Sequence, residues 1–158
     1  MKTLIIYATK HGGATKIIAQ AIAECMGNAI LHDINSNNNI SVNDYECVIL
    51  GSSLTAGQID KGLKRFAAEN VEELQNKKLG IFLSGLQASG EEGYLKQNFP
   101  AELLDKAVAK AFMGGIFDPE KCGFLARTAI KVIAKLDSYT STIDEEKIAV
   151  FAQTLLKE

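Results

Sequence analysis

The run Thr3–Ala8 (TLIIYA) constrains this chain more than any other feature. Its residues are apolar or β-branched with no polar alternation, the pattern of a strand covered on both faces. It breaks at once into the small-residue loop Thr9–Ala14 (TKHGGA). The same grammar recurs. Ala29–Ile34 predicts a second strand, followed by a polar loop over Asn35–Asn39. Cys47–Leu50 (CVIL) predicts a third, ending in Gly51-Ser52-Ser53; Lys78–Leu83 a fourth, followed by Ser84-Gly85; and Val108–Met113 a fifth, closing on Gly114-Gly115. Helical periodicity fills the gaps. Ile17, Ile18, Ala21, Ile22 and Cys25 recur on one face, with Lys16, Gln20 and Glu24 opposite, and Gly27-Asn28 stops that helix. Asp60 is placed to cap a helix that turns Leu63, Phe66 and Ala67 inward. Glu91–Ala107 reads as helix with a boundary forced by Pro100. Phe124–Lys135 and Asp144–Lys157 are amphipathic, with Ser138–Thr142 a linker between them. Buried strands alternating with helices predict a doubly wound α/β fold, a parallel sheet with helices on both faces, in one domain over residues 1–158.

The remaining bounds are negative. A chain of 158 residues buries roughly 68–70% of its unfolded surface and needs no disulfide or metal staple. Its net charge of −2 offers no global attraction to polyanions, so no nucleic-acid partner is expected. No apolar run approaches the ~18–20 residues of a bilayer span. The apolar start is interrupted by Lys10 and His11 with no small-residue cleavage site after it, and is read as a strand rather than a signal segment. Cys25, Cys47 and Cys122 are widely spaced, with neither a CxxC pair nor zinc-ligand spacing. They are expected to be packing residues in a reducing, cytoplasmic compartment. His32 is expected to be structural.

In open α/β sheets ligands bind beyond the carboxyl ends of the strands. The first such loop, Thr9-Lys10-His11-Gly12-Gly13-Ala14-Thr15, offers hydroxyls at each end, glycines for a tight turn, and the orphan N–H groups of a helix start. That combination suits a phosphate without a metal. It is not GxGxxG and not a Walker A loop; Gly85 and Gly90 have the Walker glycine spacing, but Glu91-Glu92 follow where Lys-Ser/Thr is required. No cysteine has an arginine six residues later, against a Cys-phosphatase loop. Thr9 and Ser52 stand where a phospho-acceptor receiver would carry carboxylates. Lys10 and His11 have two open roles, neutralising a phosphate or standing exposed at the loop tip. The loops Ser52-Ser53-Leu54-Thr55-Ala56-Gly57 and Ser84-Gly85-Leu86-Gln87 are long and small enough to let a flat ring approach backbone amides.

On these residues the chain resembles the flavodoxins, whose phosphate loop is similar to the strand–TKHGGAT–helix segment. With VILGSSLTAGQ, IFLSG and MGGIFDPEKCGFLARTAIKVIAKL, the resemblance is closest to the flavodoxin-domain group that includes menaquinone-dependent protoporphyrinogen oxidases. It implies a five-stranded sheet of order 2-1-3-4-5 and FMN at the tops of strands one, three and four. Thr9, Lys10, His11, Gly12, Gly13, Ala14 and Thr15 would surround the phosphate. Ser52, Ser53, Leu54, Thr55, Ala56 and Gly57 would border one side of the ring, and Ser84, Gly85, Leu86 and Gln87 its pyrimidine edge. Neither ring loop contains an aromatic, so a wall of Leu54, Leu86 and Gln87 is expected in place of stacking. The function implied is electron transfer between partners, a redox protein or a quinone. Two alternatives are a flavin-dependent oxidase of the protoporphyrinogen type and a module that has lost FMN. Phe124–Lys135 carries Arg127, Lys131 and Lys135 among apolar residues. Peripheral membrane contact is one reading of it, and packing against the sheet or a second subunit is the expected one.

Overall fold

A computed structural model of the chain describes residues 1–10, 13–36, 39–86 and 90–157. His11, Gly12 and Gln87, and part of the loop expected over Asn35–Asn39, lie outside them. The elements in chain order are β1 (Thr3–Ala8), α1 (Ala14–Met26), β2 (Ala29–Asp33), β3 (Cys47–Ser53), α2 (Lys61–Glu69), α3 (Val71–Gln75), β4 (Lys78–Ser84), α4 (Glu91–Asn98), α5 (Ala101–Lys106), β5 (Ala109–Phe112), β6 (Ile116–Phe117), α6 (Phe124–Ala134), β7 (Thr140–Ser141) and α7 (Glu145–Leu156). The strands β1 to β5 form one parallel sheet of order β2-β1-β3-β4-β5. The order reverses between β1 and β3, where a crevice opens at the carboxyl ends.

Strand pleating explains the continuous apolar runs. Along β1, Leu4, Ile6 and Ala8 join one core with Leu63, Phe66, Leu74 and Leu103, beneath α2, α3 and α5. Ile5 and Tyr7 point the other way, to Ile18, Ile22, Phe151 and Leu155 of α1 and α7. Both faces are thereby covered, and every residue of β1 is buried. The helix ends follow the sequence closely. Asp60 caps α2, its carboxylate accepting from the Gly62 and Leu63 amides at 2.8 and 3.4 Å. Asp144 caps α7 through the Lys147 amide at 2.9 Å. Pro100 separates α4 from α5, and Gly27 closes α1 with φ +75°.

Several expectations are corrected. The buried stripe of α1 runs through Ala14, Thr15, Ile18, Ala19 and Ile22, while Ile17 and Cys25 face solvent. Alternation at 3.6 residues allowed either assignment, and small Ala14 and Ala19 permit the closer approach. Cys25 is therefore not a packing residue, whereas Cys47 is fully buried. The linker Ser138–Thr142 contains β7, paired antiparallel with β6. Short α3 had no expected counterpart.

The turn after β5 explains its double glycine. Gly114 has φ +79°, and a Cβ there would sit 1.8 Å from the Thr142 carbonyl oxygen; at Gly115 it would lie 2.7 Å from the Gly85 carbonyl carbon. Only residues without a side chain let the β7 segment and the β4 loop approach this closely. The Gly85 amide donates to the Gly114 carbonyl at 3.0 Å and the Thr142 amide to Gly115 at 2.8 Å, which locks the contact.

Candidate functional site

At the carboxyl ends of β1, β3 and β4 lies a cavity of about 610 Å³, within the ~300–1,000 Å³ usual for small-molecule sites. Its floor is made by the expected loops. Lys10 and Ala14 contribute from the β1–α1 turn, Ser53 to Gly57 from the end of β3, and Ser84, Gly85 and Leu86 from the end of β4. These residues come together because the parallel register aligns the strand tops, with Ala8 opposite Ser52 and Ser53 opposite Ser84.

Other expected site residues support the floor rather than line it. Thr15 is fully buried and its hydroxyl shares a hydrogen bond of 2.7 Å with the Ser84 hydroxyl, tying α1 to β4. The Ser52 hydroxyl donates to the Ser53 carbonyl at 3.0 Å and accepts from the Asp60 amide at 3.1 Å. Gly13 stands before α1 with φ +75°. The Leu54 amide donates to the Ser84 carbonyl at 2.9 Å, joining the two ring loops.

Thr9 and Ser53 differ from these. Among the described residues, their hydroxyls are the buried side-chain oxygens with no hydrogen-bond partner. Leaving a buried hydroxyl unpaired costs about 1–3 kcal/mol. Ser53 lines the cavity, and Thr9 stands at the top of β1 beside Lys10, next to the cavity rather than in its lining. Lys10 reaches the Asp60 carboxylate at 3.8 Å, which holds one cationic group at the rim.

The loop after β3 is a tight hairpin. Thr55 and Gln58 exchange backbone hydrogen bonds of 2.9 and 3.0 Å, and Ala56 and Gly57 between them have φ +50° and +74°. Positive φ at both central residues is the signature of a type I′ turn. Ala56 is a non-glycine residue held in this costly region, a feature concentrated at ligand sites.

Several site residues were not foreseen, Tyr94 and Asn98 first among them. Tyr94 of α4 lines the cavity, and its ring lies so close to Gly57 that a Cβ there would approach it to 3.3 Å. An aromatic wall is therefore present, supplied by a helix rather than by either ring loop. Asn98 is buried and fully used: its side-chain amide donates to the Gly57 and Tyr94 carbonyls, both at 2.8 Å, and accepts from the Ile59 amide at 3.1 Å. It clamps the hairpin to α4. The clue in the sequence was the spacing of Tyr94 and Asn98 by one helical turn, which puts them on one face.

Helix α6 forms the remaining wall through Ala126, Ala129, Ile130 and Ala134, with Cys122 before it. It does not pack on the sheet, one of the two packings expected for it; none of its described side chains is buried. A second groove of about 570 Å³ runs along β5 and α7 and is flanked by charged side chains such as Glu91, Asp144 and Lys147.

A flavodoxin-domain family model matches residues 4–144, which include every strand of the main sheet and the whole cavity floor. The chain belongs to that family. Solved structures agree at the level of the fold. Oxidised flavodoxin 2 from Bacillus cereus is 22% identical with a TM-score of 0.62, covering 99% of this chain and 98% of its own. Flavodoxin 1 from the same organism is 19% identical with a TM-score of 0.58, covering 100% and 99%. Two-electron reduced Megasphaera elsdenii flavodoxin is 15% identical with a TM-score of 0.58, covering 95% and 98%. No curated protein matches the chain by sequence. None of these three structures is a protoporphyrinogen oxidase.

Proposed function

We propose that this flavodoxin-domain protein binds FMN in the cavity above β1, β3 and β4 and passes electrons between a donor and an acceptor. The observation that carries the reading is the pair of buried, unpartnered hydroxyls of Thr9 and Ser53, one on the loop suited to a phosphate and one on the loop suited to a flat ring. On this reading the Thr9 hydroxyl and the amides at the start of α1 hold the phosphate, with α1's positive end facing it. Lys10 exchanges its ion pair with Asp60 for the phosphate charge. Tyr94 covers one side of the ring, the small residues of α6 the other, and the backbone of Gly85 and Leu86 lies along the polar edge. Donors aimed at that edge favour the negative charge that reduction places there. Bound FMN supplies a reservoir for one or two electrons; the protein supplies anchoring, exclusion of water and tuning. The three cysteines are free thiols, the state kept in a reducing cytoplasm, and the reading assigns the chain to that compartment.

Titration of the apo-protein with FMN and with riboflavin tests this. FMN is expected to bind more tightly by about tenfold or more, because each charge-assisted hydrogen bond to the phosphate contributes ~1.5–3 kcal/mol. Equal affinities would remove the phosphate loop from the reading. No binding of either ligand would leave a fold that has lost its cofactor.

A second reading is favoured by one observation: the α6 side of the cavity is apolar, lined by Ala126, Ala129, Ile130 and Ala134 with Ile116 and Phe117, which suits an apolar reductant or oxidant. It makes the chain a flavin-dependent oxidase for a porphyrinogen or quinone. Anaerobic bleaching of the flavin by such a substrate alone, with no protein donor present, separates it from the carrier reading.

A further inference from the structure

Helix α6 has two apolar faces and uses one. Ala126, Ile130 and Ala134 are turned to the cavity. Around the helix from them, Phe124 and Leu125 are each 82% exposed and Val132 is 73% exposed. Side chains at these positions fall on one outward stripe at 100° per residue. Arg127, Lys131 and Lys135 flank that stripe, and among the described residues none of them is in an ion pair. Lys121, just before the helix, is paired with Asp118 at 3.6 Å; from Cys122 to Leu136 there are three basic side chains and no acidic one, in a chain whose net charge is −2. A surface helix in a water-soluble fold ordinarily spends its apolar residues on the core. This one leaves a Phe-Leu pair and a Val in water and sets three unneutralised cations along one edge of them.

We infer that the outer face of α6 docks on an anionic lipid surface, the helix lying in the interface plane with Phe124, Leu125 and Val132 among the acyl chains and the basic side chains among the headgroups. Charge selects this occupant. A second copy pairing through the same face would set the three unpaired cations Arg127, Lys131 and Lys135 against their own copies, with no carboxylate of the helix to neutralise them. A neutral bilayer would leave the cations without partners. The lipid surface satisfies both halves of the pattern. Because α6 is also a wall of the cavity, docking would bring the proposed redox site to the edge of the membrane. The inference does not depend on the redox reading, since apo-protein and FMN-loaded protein present the same stripe.

The test is co-sedimentation of the full chain with vesicles of phosphatidylcholine alone and of an equal mixture of phosphatidylcholine and phosphatidylglycerol. Binding to the mixed vesicles only, weakening with added salt, is expected. Replacing Lys131→Gln and Lys135→Gln together should lower partitioning roughly thirty-fold, from about 1 kcal/mol per basic side chain near an anionic surface and 1.4 kcal/mol per factor of ten. Phe124→Ser with Leu125→Ser should abolish it; these side chains are exposed, so the fold and FMN binding should be unchanged. The chain has no Trp, so Phe124→Trp adds a lone indole whose emission should shift to the blue on anionic vesicles only. Sedimentation with neither vesicle would overturn the inference, as would binding indifferent to all these substitutions. A dimer in solution that Phe124→Ser with Leu125→Ser dissolves would instead assign the face to a second copy.

Discussion

Tyr94 and Asn98 do by tertiary contact what the loops at the strand ends were expected to do by themselves. Asn98 satisfies three backbone groups of the hairpin and α4, and Tyr94 then stands at the cavity, leaving little room for a side chain at Gly57. Stacking of a flat heteroaromatic ring on an aromatic side chain is worth ~1–3 kcal/mol. Tyr94→Ala is therefore expected to weaken FMN binding about tenfold or more, with Tyr94→Phe near the parent value, read by flavin fluorescence during titration. Hydroxyl positions show the limits of reading residues singly. Ser52 and Ser53 are neighbours in a strand, and the pleat sends them to opposite faces. Ser53 faces the cavity, while Ser52 is turned to the Asp60 amide. Both are serines at a strand end, and nothing in the letters separates them.

At the scale of elements, caps were legible and destinations were not. Asp60 was expected to start α2, and its carboxylate does so while also meeting Lys10. Asp60→Ala removes both contacts. Loss of the cap should lower stability by about 0.5–2 kcal/mol, measured by urea denaturation, and the released Lys10 should strengthen binding of the FMN phosphate relative to riboflavin. If the selectivity for FMN instead falls, Lys10 needs Asp60 to hold it at the rim. The period of α6 announced an amphipathic helix, but a period cannot say which apolar stripe meets the body. Here the body offers a cavity instead of a sheet surface, so Ala126, Ala129, Ile130 and Ala134 turn inward and Phe124, Leu125 and Val132 remain outside.

At the scale of the whole molecule, burial makes stability depend on pH at the alkaline end. Cys47 lies at the start of β3 with no exposure, and its thiol is pushed up to about 11 by desolvation, the Thr3 hydroxyl and the Lys78 charge opposing in smaller measure. Folding keeps a proton that the unfolded chain releases near the ordinary value of 9.0. The resulting stability is full below that pH and is lost as pH rises through about 11, at about 1.4 kcal/mol per pH unit inside the window. Tyr7, raised first by burial and then by Asp33, acts in the same direction above its ordinary 10.0. Urea denaturation across this range should show a falling midpoint, and Cys47→Ala should flatten the slope without abolishing it.

The parallel sheet, its helices and the loops at its carboxyl ends were legible in the order of residues along the chain. Those follow from local chemistry: unbroken apolar runs need cover on both faces, and Gly, Pro and Asp act on the backbone next to them. Its resemblance to the flavodoxins anticipated the strand order, which the structure shows to be β2-β1-β3-β4-β5. Tertiary structure decided which hydroxyls are consumed by internal hydrogen bonds, which aromatic reaches the cavity, and that Gly114 and Gly115 let two distant segments touch. It also decided that α6 would wall the cavity while exposing Phe124 and Leu125. These outcomes depend on what lies across the gap from each side chain, and that neighbour comes from residues far away along the chain.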